Sequence, residues 1–417
     1  MRSTDLDPNF HRYAARTRGM SASEIRALFA VASRPEVISL AGGMPYTAAL
    51  DYDAVAEVLA AVVVQDGPTA LQYGGGQGQD RLREQLVEVM AAEAIPAHPD
   101  DLVVTAGGQQ GLDLLAKLFC DPGDIVVAEG PSYVGALGAF AVYQADVVHI
   151  TMDGDGLVPE ALDEALTRLE QAGRRTKFCY LVPNHQNPAG VSLSVPRRTA
   201  VLEIATRHDV LVVEDNPYGM LDFKGDDRPS LYAMAPERVV YVGTLSKIFA
   251  PGIRVGWVAA QEPIRDKLVL LKEAADLCQS NLTQAVAERW LATQPWREQV
   301  VRFTDLYRER CDALLAELQA AFPAPCSWRP PTGGMFAWVD LPPGIDAGEL
   351  LPRALSERVA YVPGRAFYAD GQGALQMRLN FSYAPSDRIR EGIRRLGELL
   401  HDELELVEAL YGRDGAP

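Results

Sequence analysis

Residues Val239–Ala260 read VVYVGTLSKIFAPGIRVGWVAA. Two β-branched runs, Val239–Gly243 and Val255–Ala259, have the length of buried strands and flank a turn of small, hydroxylated and basic residues. Moving outward, similar runs recur at Leu102–Thr105, Ile125–Glu129, Phe178–Val182 and Val210–Glu214. Amphipathic stretches separate them: Gln110–Phe119, with Leu112, Leu115, Leu118 and Phe119 on one face, and Pro196–His208. Strands alternating with helices predict an α/β fold with a mostly parallel, doubly wound sheet. Ligands of such sheets sit beyond the carboxyl ends of the strands. Helical patterns follow over Pro263–Ala275 and from Thr283 to about Leu318. The Pro- and Gly-rich segment Phe322–Met335 then leads into a smaller C-terminal unit, with strands at Phe336–Val339, Ala360–Val362 and Leu375–Phe381 and a last helix from Ser386. The stretch before Ile38 reads as one or two helices. The expected division is an N-terminal arm (1–45), a large domain (46–320) and a small domain (321–417).

The bulk properties narrow the function. The 417 residues are 48% hydrophobic and 23% charged, enough for a sizeable core. A formal charge of −17 disfavours nucleic acid and anionic membranes as partners, so an anionic ligand needs local Arg or Lys. The five cysteines (Cys120, Cys179, Cys278, Cys311 and Cys326) are odd in number and widely spaced, with no C-x-x-C pair. They suggest reduced, mostly buried thiols and a cytoplasmic location rather than a disulfide framework or a zinc site. The N-terminal residues lack the apolar run of a signal peptide, and the most apolar stretch, Ala54–Val64, is too short to span a bilayer.

Lys247 lies just past an apolar strand. A desolvated amine near other cations has a lowered pKa and forms a Schiff base with an aldehyde. Thr244 and Ser246 offer hydroxyls, and Arg254 follows a Pro-Gly turn, a set that suits a phosphate dianion. Asp215 ends another strand, with Tyr218 in the next turn. A carboxylate there would keep a pyridine nitrogen protonated and make its ring an electron sink, and the phenol could donate to the ring's 3′-oxygen. Taken alone, D-N-P also reads as an Asx turn. Asn187, in LVPNHQNPAG, could reach the same 3′-oxygen or simply make an Asn-Pro turn. TAGGQQGLDLL is strand, glycine turn and helix start, so the amides of Gly108 and Gln109 could bind an anion. Tyr133 could stack on a flat heterocycle or fill the core. Arg378, in QMRLNFSYAP, needs a carboxylate partner, either an amino-acid ligand or an internal salt bridge.

These strings, in order, resemble the fold-type I pyridoxal-phosphate enzymes of the class I/II aminotransferases, and within them the 2-aminoadipate and kynurenine aminotransferase branch. The likeness runs from about Ser23 to Pro385: SEIR, SLAGGMP, LQYGGGQG, GGQQGLDL, EGPSYVGAL, NHQNPAG, EDNPYG, TLSKIFAPGIRVGW, PTGGMFAW, VPGRAFY and RLNFS. It implies the fold of that family: a large domain on a mostly parallel doubly wound sheet, and a smaller α/β domain built from the C-terminal part and the N-terminal arm. It implies pyridoxal 5′-phosphate held by Lys247, with Asp215 on the pyridine nitrogen, Asn187 and Tyr218 on the 3′-oxygen and Tyr133 on the ring. Gly108, Gln109, Thr244, Ser246 and Arg254 would serve the phosphate, with Tyr73 supplied by the neighbouring subunit of a homodimer. Arg378 and Asn187 would meet the substrate, with Gly43 beside it. Arg26, in SASEIRALF, falls where this branch covers the substrate side chain and could pair with a distal carboxylate, or be a solvated arginine. The chain departs from the family pattern at Thr244, where Ser is usual, at Gly108, where Ser is common, and at Ala189, where Thr is usual.

The activity implied is transfer of an amino group from 2-aminoadipate, an aromatic or a related amino acid to a 2-oxo acid, commonly 2-oxoglutarate, in two half-reactions through Lys247. Another reaction on the same cofactor, such as elimination, cyclisation or oxidation of an amino acid, shares this fold. A ligand-sensing regulator with an aminotransferase-like domain would require a basic DNA-binding domain, at odds with the short N-terminal stretch and the negative charge.

Overall fold

A computed structural model describes residues 7, 9–18, 34–226 and 228–411. The short strand β1 (Ile38–Ser39) stands apart from the main sheet. That sheet is built from β2 (Leu102–Thr105), β3 (Ile125–Gly130), β4 (Asp146–Asp153), β5 (Gly156–Leu157), β6 (Thr176–Leu181), β7 (Leu211–Asp215), β8 (Val239–Thr244) and β9 (Gly256–Ala259). Across the sheet the order is β2-β9-β8-β7-β6-β3-β4-β5. The run β8-β7-β6-β3-β4 is parallel, whereas β9 lies antiparallel to both its neighbours and β5 folds back on β4.

Alternate residues of the parallel strands feed two separate cores, as side chains of a strand must. Val126, Ala128, Val213, Val240 and Val242 pack on one face with Leu112 and Leu115, and Ile125, Val127, Val212, Val239 and Tyr241 on the other. Burial on both faces explains why these strands read as unbroken apolar runs. β4 escaped that reading because its residues, DVVHITMD, are mostly half-buried and polar-interrupted. After β4 and β5 the chain returns through the helix Pro159–Gln171 to β6 on the other side of β3. The direction of winding reverses there, which opens a crevice at the carboxyl ends of β3 and β6.

Two expectations need correction. The long helix from Thr283 is two helices, Asn281–Thr293 and Trp296–Ala321. Pro295 has no N–H to continue the ladder and disfavours the helical conformation at Gln294, which is extended (ψ 152°). The expected strand Ala360–Val362 belongs to two sheets. β10 (Ser327–Trp328) and β11 (Phe336–Asp340) precede β12 (Val359–Ala360), which pairs in parallel with β1. β13 (Val362–Pro363) instead joins β14 (Gln376–Asn380) in the antiparallel sheet β10-β11-β14-β13. The switch occurs at buried Tyr361, whose hydroxyl donates to the Ala347 carbonyl at 2.7 Å. Pairing of β1 with β12, and the 2.8 Å bond from the Asn380 amide to the Leu40 carbonyl, lay residues 38–44 beside the small sheet. No helix of the described residues is long and apolar enough to cross a membrane.

Candidate active site

Lys247 stands in the turn after β8, half-buried, and its Nζ donates to the Gly43 carbonyl at 2.7 Å. Burial lowers its pKa to about 8, reinforced by the positive charges of Arg378 and Arg254 and opposed by Asp215. The amine is therefore a usable nucleophile and base near neutral pH.

Asp215 is the last residue of β7, and its carboxylate accepts a hydrogen bond from the Tyr180 hydroxyl at 2.7 Å. Its side chain thus faces a phenol, where an Asx turn would have used the backbone. Burial pushes it up to about 6, while Tyr180 and Lys247 hold it down. Strand alternation sends the next residue the opposite way. The Asn216 amide donates to Glu93 Oε2 (3.1 Å) and to the Tyr241 hydroxyl (3.2 Å), and accepts from Asn184 (2.9 Å).

The turns after β6 and β7 bring Asn187 and Tyr218 together, Asn187 Nδ2 donating to the Tyr218 hydroxyl at 3.3 Å. From β14, Arg378 donates to Asn187 Oδ1 (2.8 Å) and to the Ala41 carbonyl (2.6 Å), with its guanidinium 4.2 Å over Phe336 and 5.0 Å from Phe367. Among the described residues its buried Nε has no partner, and burial lowers its pKa to about 10. An internal salt bridge is not what holds it: both bonded nitrogens go to neutral oxygens. A buried cation so arranged could receive a carboxylate.

The opposite end of the cavity could hold a dianion. Gly107 (φ 78°) turns the chain from β2 into the helix Gly108–Phe119, whose first amides point outward with the positive end of the helix dipole. Arg254, itself left-handed (φ 52°), donates to the Ala106 carbonyl at 2.7 Å. The positive φ at Gly107 calls for glycine, and a Cβ there would also lie 2.5 Å from Arg254 Nη2 and push that guanidinium aside. Thr244 Oγ1 donates to Ser246 Oγ at 2.9 Å beside it. Gly43, Gly108, Gln109, Tyr133, Thr244, Ser246 and Arg254 line one cavity of about 290 Å³ with Lys247, Asp215, Asn187, Tyr218 and Arg378. A glycine cradle with an arginine, a buried acid, a lowered-pKa lysine and an orphaned guanidinium nitrogen fit a phosphorylated pyridine aldehyde and an amino acid.

Residues 35–396 match the family described as aminotransferase class I and II. The chain belongs to that family. The aromatic-amino-acid aminotransferase 1 of Thermococcus litoralis is 40% identical to this aminotransferase over 395 residues, covering 94% of this chain and 95% of that one. A kynurenine aminotransferase from Pyrococcus horikoshii, solved in complex with PMP, superimposes with a TM-score of 0.91 at 39% identity, covering 96% and 99% of the two chains. The α-aminoadipate aminotransferase of Thermus thermophilus, complexed with N-(5′-phosphopyridoxyl)-L-leucine, gives 0.88 at 35% identity, covering 95% and 99%. This aminotransferase is accordingly a fold-type I enzyme dependent on pyridoxal phosphate.

Of the residues singled out from sequence, one described residue does not join the cavity. Tyr73 is 76% exposed at the surface, and Arg26 lies outside the described residues. Four residues that sequence reading passed over shape this cavity. Tyr180 looked like any strand aromatic. Phe336 and Phe367 looked like core, yet both rings lie against the Arg378 guanidinium. Buried Glu129, at the end of β3, accepts from the Val182 amide (2.9 Å) and from Gln186 (3.3 Å), so it shapes the turn that carries Asn187. Its signal was an acid closing an apolar strand, the same signal that Asp215 gave.

Proposed function

We propose that this aminotransferase takes the amino group from 2-aminoadipate, an aromatic or a related amino acid and passes it to a 2-oxo acid, with 2-oxoglutarate as acceptor, in two half-reactions through Lys247. The observation that carries this reading is Arg378, a buried cation with an orphaned nitrogen in the same cavity as Lys247. Pyridoxal phosphate, when bound, supplies an electrophilic carbonyl and a protonated ring that accepts electrons. Arg378 binds the substrate α-carboxylate, beside Asn187 and Gly43. Lys247 Nζ takes the proton from the substrate Cα as base and returns it as acid. Asp215 holds the proton on the ring nitrogen, while Asn187 and Tyr218 donate to the 3′-oxygen and Tyr133 stacks on the ring. Gly108, Gln109, Thr244, Ser246 and Arg254 hold the phosphate. The relatives named for aromatic amino acids, kynurenine and aminoadipate support the donor class. The unpaired thiols, four of them buried, support a cytoplasmic location.

A panel of amino acids against 2-oxoglutarate, read by oxo-acid release, tests the donor class; release of ammonia instead would favour elimination or oxidation. Within that panel we expect Arg26→Ala to raise the KM for acidic donors by one to two orders of magnitude, roughly the worth of a charge-assisted hydrogen bond. Apolar donors should be largely spared. Equal weakening of both donor types would make Arg26 structural.

We also propose a homodimer in which Tyr73 serves the neighbour's phosphate. Its support is an apolar face on the helix Tyr52–Ala70 and the turn beyond it, where Val64 is 82% exposed and Val63, Leu71 and Tyr73 are exposed with it. Light scattering should return about twice the 45.4 kDa of one chain, and Tyr73→Phe should bind the cofactor more weakly without dissociating the dimer. An active monomer would refute the shared site.

A further inference from the structure

We propose that Tyr180 is a positioning residue for the amino-group transfer: its hydroxyl holds the Asp215 carboxylate ionised and aimed at the cofactor's ring nitrogen. This rests on the reading of Asp215 given above. Tyr180 lies on β6 directly across from Val213 of β7. Asp215 is two residues further along β7, so it is the diagonal neighbour on the same face of the sheet and within reach of a long aromatic side chain. The phenol oxygen is 2.7 Å from Asp215 Oδ2. With Oδ2 engaged there, Oδ1 is the oxygen left for a donor in the cavity that Asp215 lines.

The direction of the bond is not ambiguous. Tyr180 is fully buried, and burial together with the Asp215 charge drives its pKa well above the ordinary phenol value. The hydroxyl keeps its proton and can only donate to a carboxylate. Burial alone would favour the neutral acid at Asp215, and a neutral acid cannot retain a proton on a pyridine nitrogen. Two groups oppose that, Tyr180 and Lys247. The charge on Lys247 comes and goes as its amine reacts and carries protons, whereas the phenol donates throughout. An arginine or lysine in its place would add a permanent positive charge and oppose the protonated ring. A phenol stabilises the carboxylate without adding charge. The ring itself is fixed edge-on to Phe140, with centroids 5.5 Å apart at 76°, so its aim does not depend on the bond.

If Tyr180 served only to fill the core, phenylalanine would replace it without consequence, and Tyr180→Phe keeps the packing against Phe140. In apoenzyme carrying 13C-labelled aspartate, with the Asp215 carboxyl signal assigned by its loss in Asp215→Asn, the native titration is expected near pH 6. Tyr180→Phe should move it to roughly pH 7 or above, the worth of one hydrogen bond to a charged group. In the loaded enzyme the same variant should lose roughly 10- to 100-fold in kcat with little change in KM. Added to Asp215→Asn, Tyr180→Phe should cost much less than in the native enzyme, because the charge it stabilises is already gone and only a neutral hydrogen bond is lost. An unmoved titration, or an equal cost in the Asp215→Asn background, overturns the role of Tyr180. An Asp215→Asn enzyme as fast as the native one instead overturns the reading of Asp215 on which it depends.

Discussion

Lys247→Ala is expected to abolish turnover and the visible absorbance of lysine-bound cofactor, while circular dichroism and oligomeric state stay as in the native enzyme. Lys247 is half-buried, and its Nζ donates to the Gly43 carbonyl. Its removal therefore leaves a small gap at a cavity wall and no stranded charge, and stability should change little. In the role proposed for Lys247, the chemistry loses its base and acid at the substrate Cα. That alone is worth on the order of 10²–10⁴-fold, and the loss of the covalent link adds to it. The native enzyme offers a companion measurement. Because burial and the two arginines lower the amine to about 8, its neutral, nucleophilic fraction grows as pH rises through that value. The rate at which apoenzyme captures pyridoxal phosphate should rise across pH 7–9 and level off above, and in Lys247→Ala no pH should restore covalent capture. Full turnover in the variant would sink the assignment of the site.

Asp215→Asn should keep the cofactor but lose roughly 10²–10³-fold in kcat, the scale of removing one preorganised electrostatic contact. The phosphate donors at the other end of the cavity are untouched, so retention is preserved. The amide has nearly the shape of the carboxylate, and its oxygen can still accept the Tyr180 hydroxyl now 2.7 Å from Oδ2. That choice turns its NH₂ toward the ring nitrogen, where it donates to the lone pair and leaves no place for a proton. The ring then stays neutral and accepts electrons poorly. Equilibrium dialysis and steady-state rates measured together separate the two effects. Near-native rates would reduce Asp215 to a structural acid.

Much of the candidate cavity was legible because its groups stand at, or a few residues past, the ends of apolar strand runs. Lys247 follows β8, Asp215 closes β7, Asn187 follows β6, Tyr133 follows β3, and the Gly107–Gly108 turn follows β2. In a parallel sheet buried on both faces those runs are continuous, so their ends, where the crevice must lie, can be read from hydropathy alone. The break at Pro295 was also written in the sequence, although the helical period on either side masked it.

What tertiary structure decided is everything that depends on register and on chain crossing between distant segments. Tyr180 and Phe178 are equally ordinary strand aromatics until β6 is set against β7, and only then does one of them reach Asp215. Arg378 could have been an internal salt bridge until Ala41, Asn187, Phe336 and Phe367 converged on it and left one nitrogen orphaned. The half-exposed strand β4 and the change of sheet at Tyr361 likewise have no local signature, because they are set by which neighbour offers free backbone groups. Local sequence determined the elements and the chemistry at their ends, since propensity and burial act over a few residues. The partner that each buried charge found was decided by the fold, since in a low dielectric a charge must be satisfied by whatever the packing brings within about 3 Å.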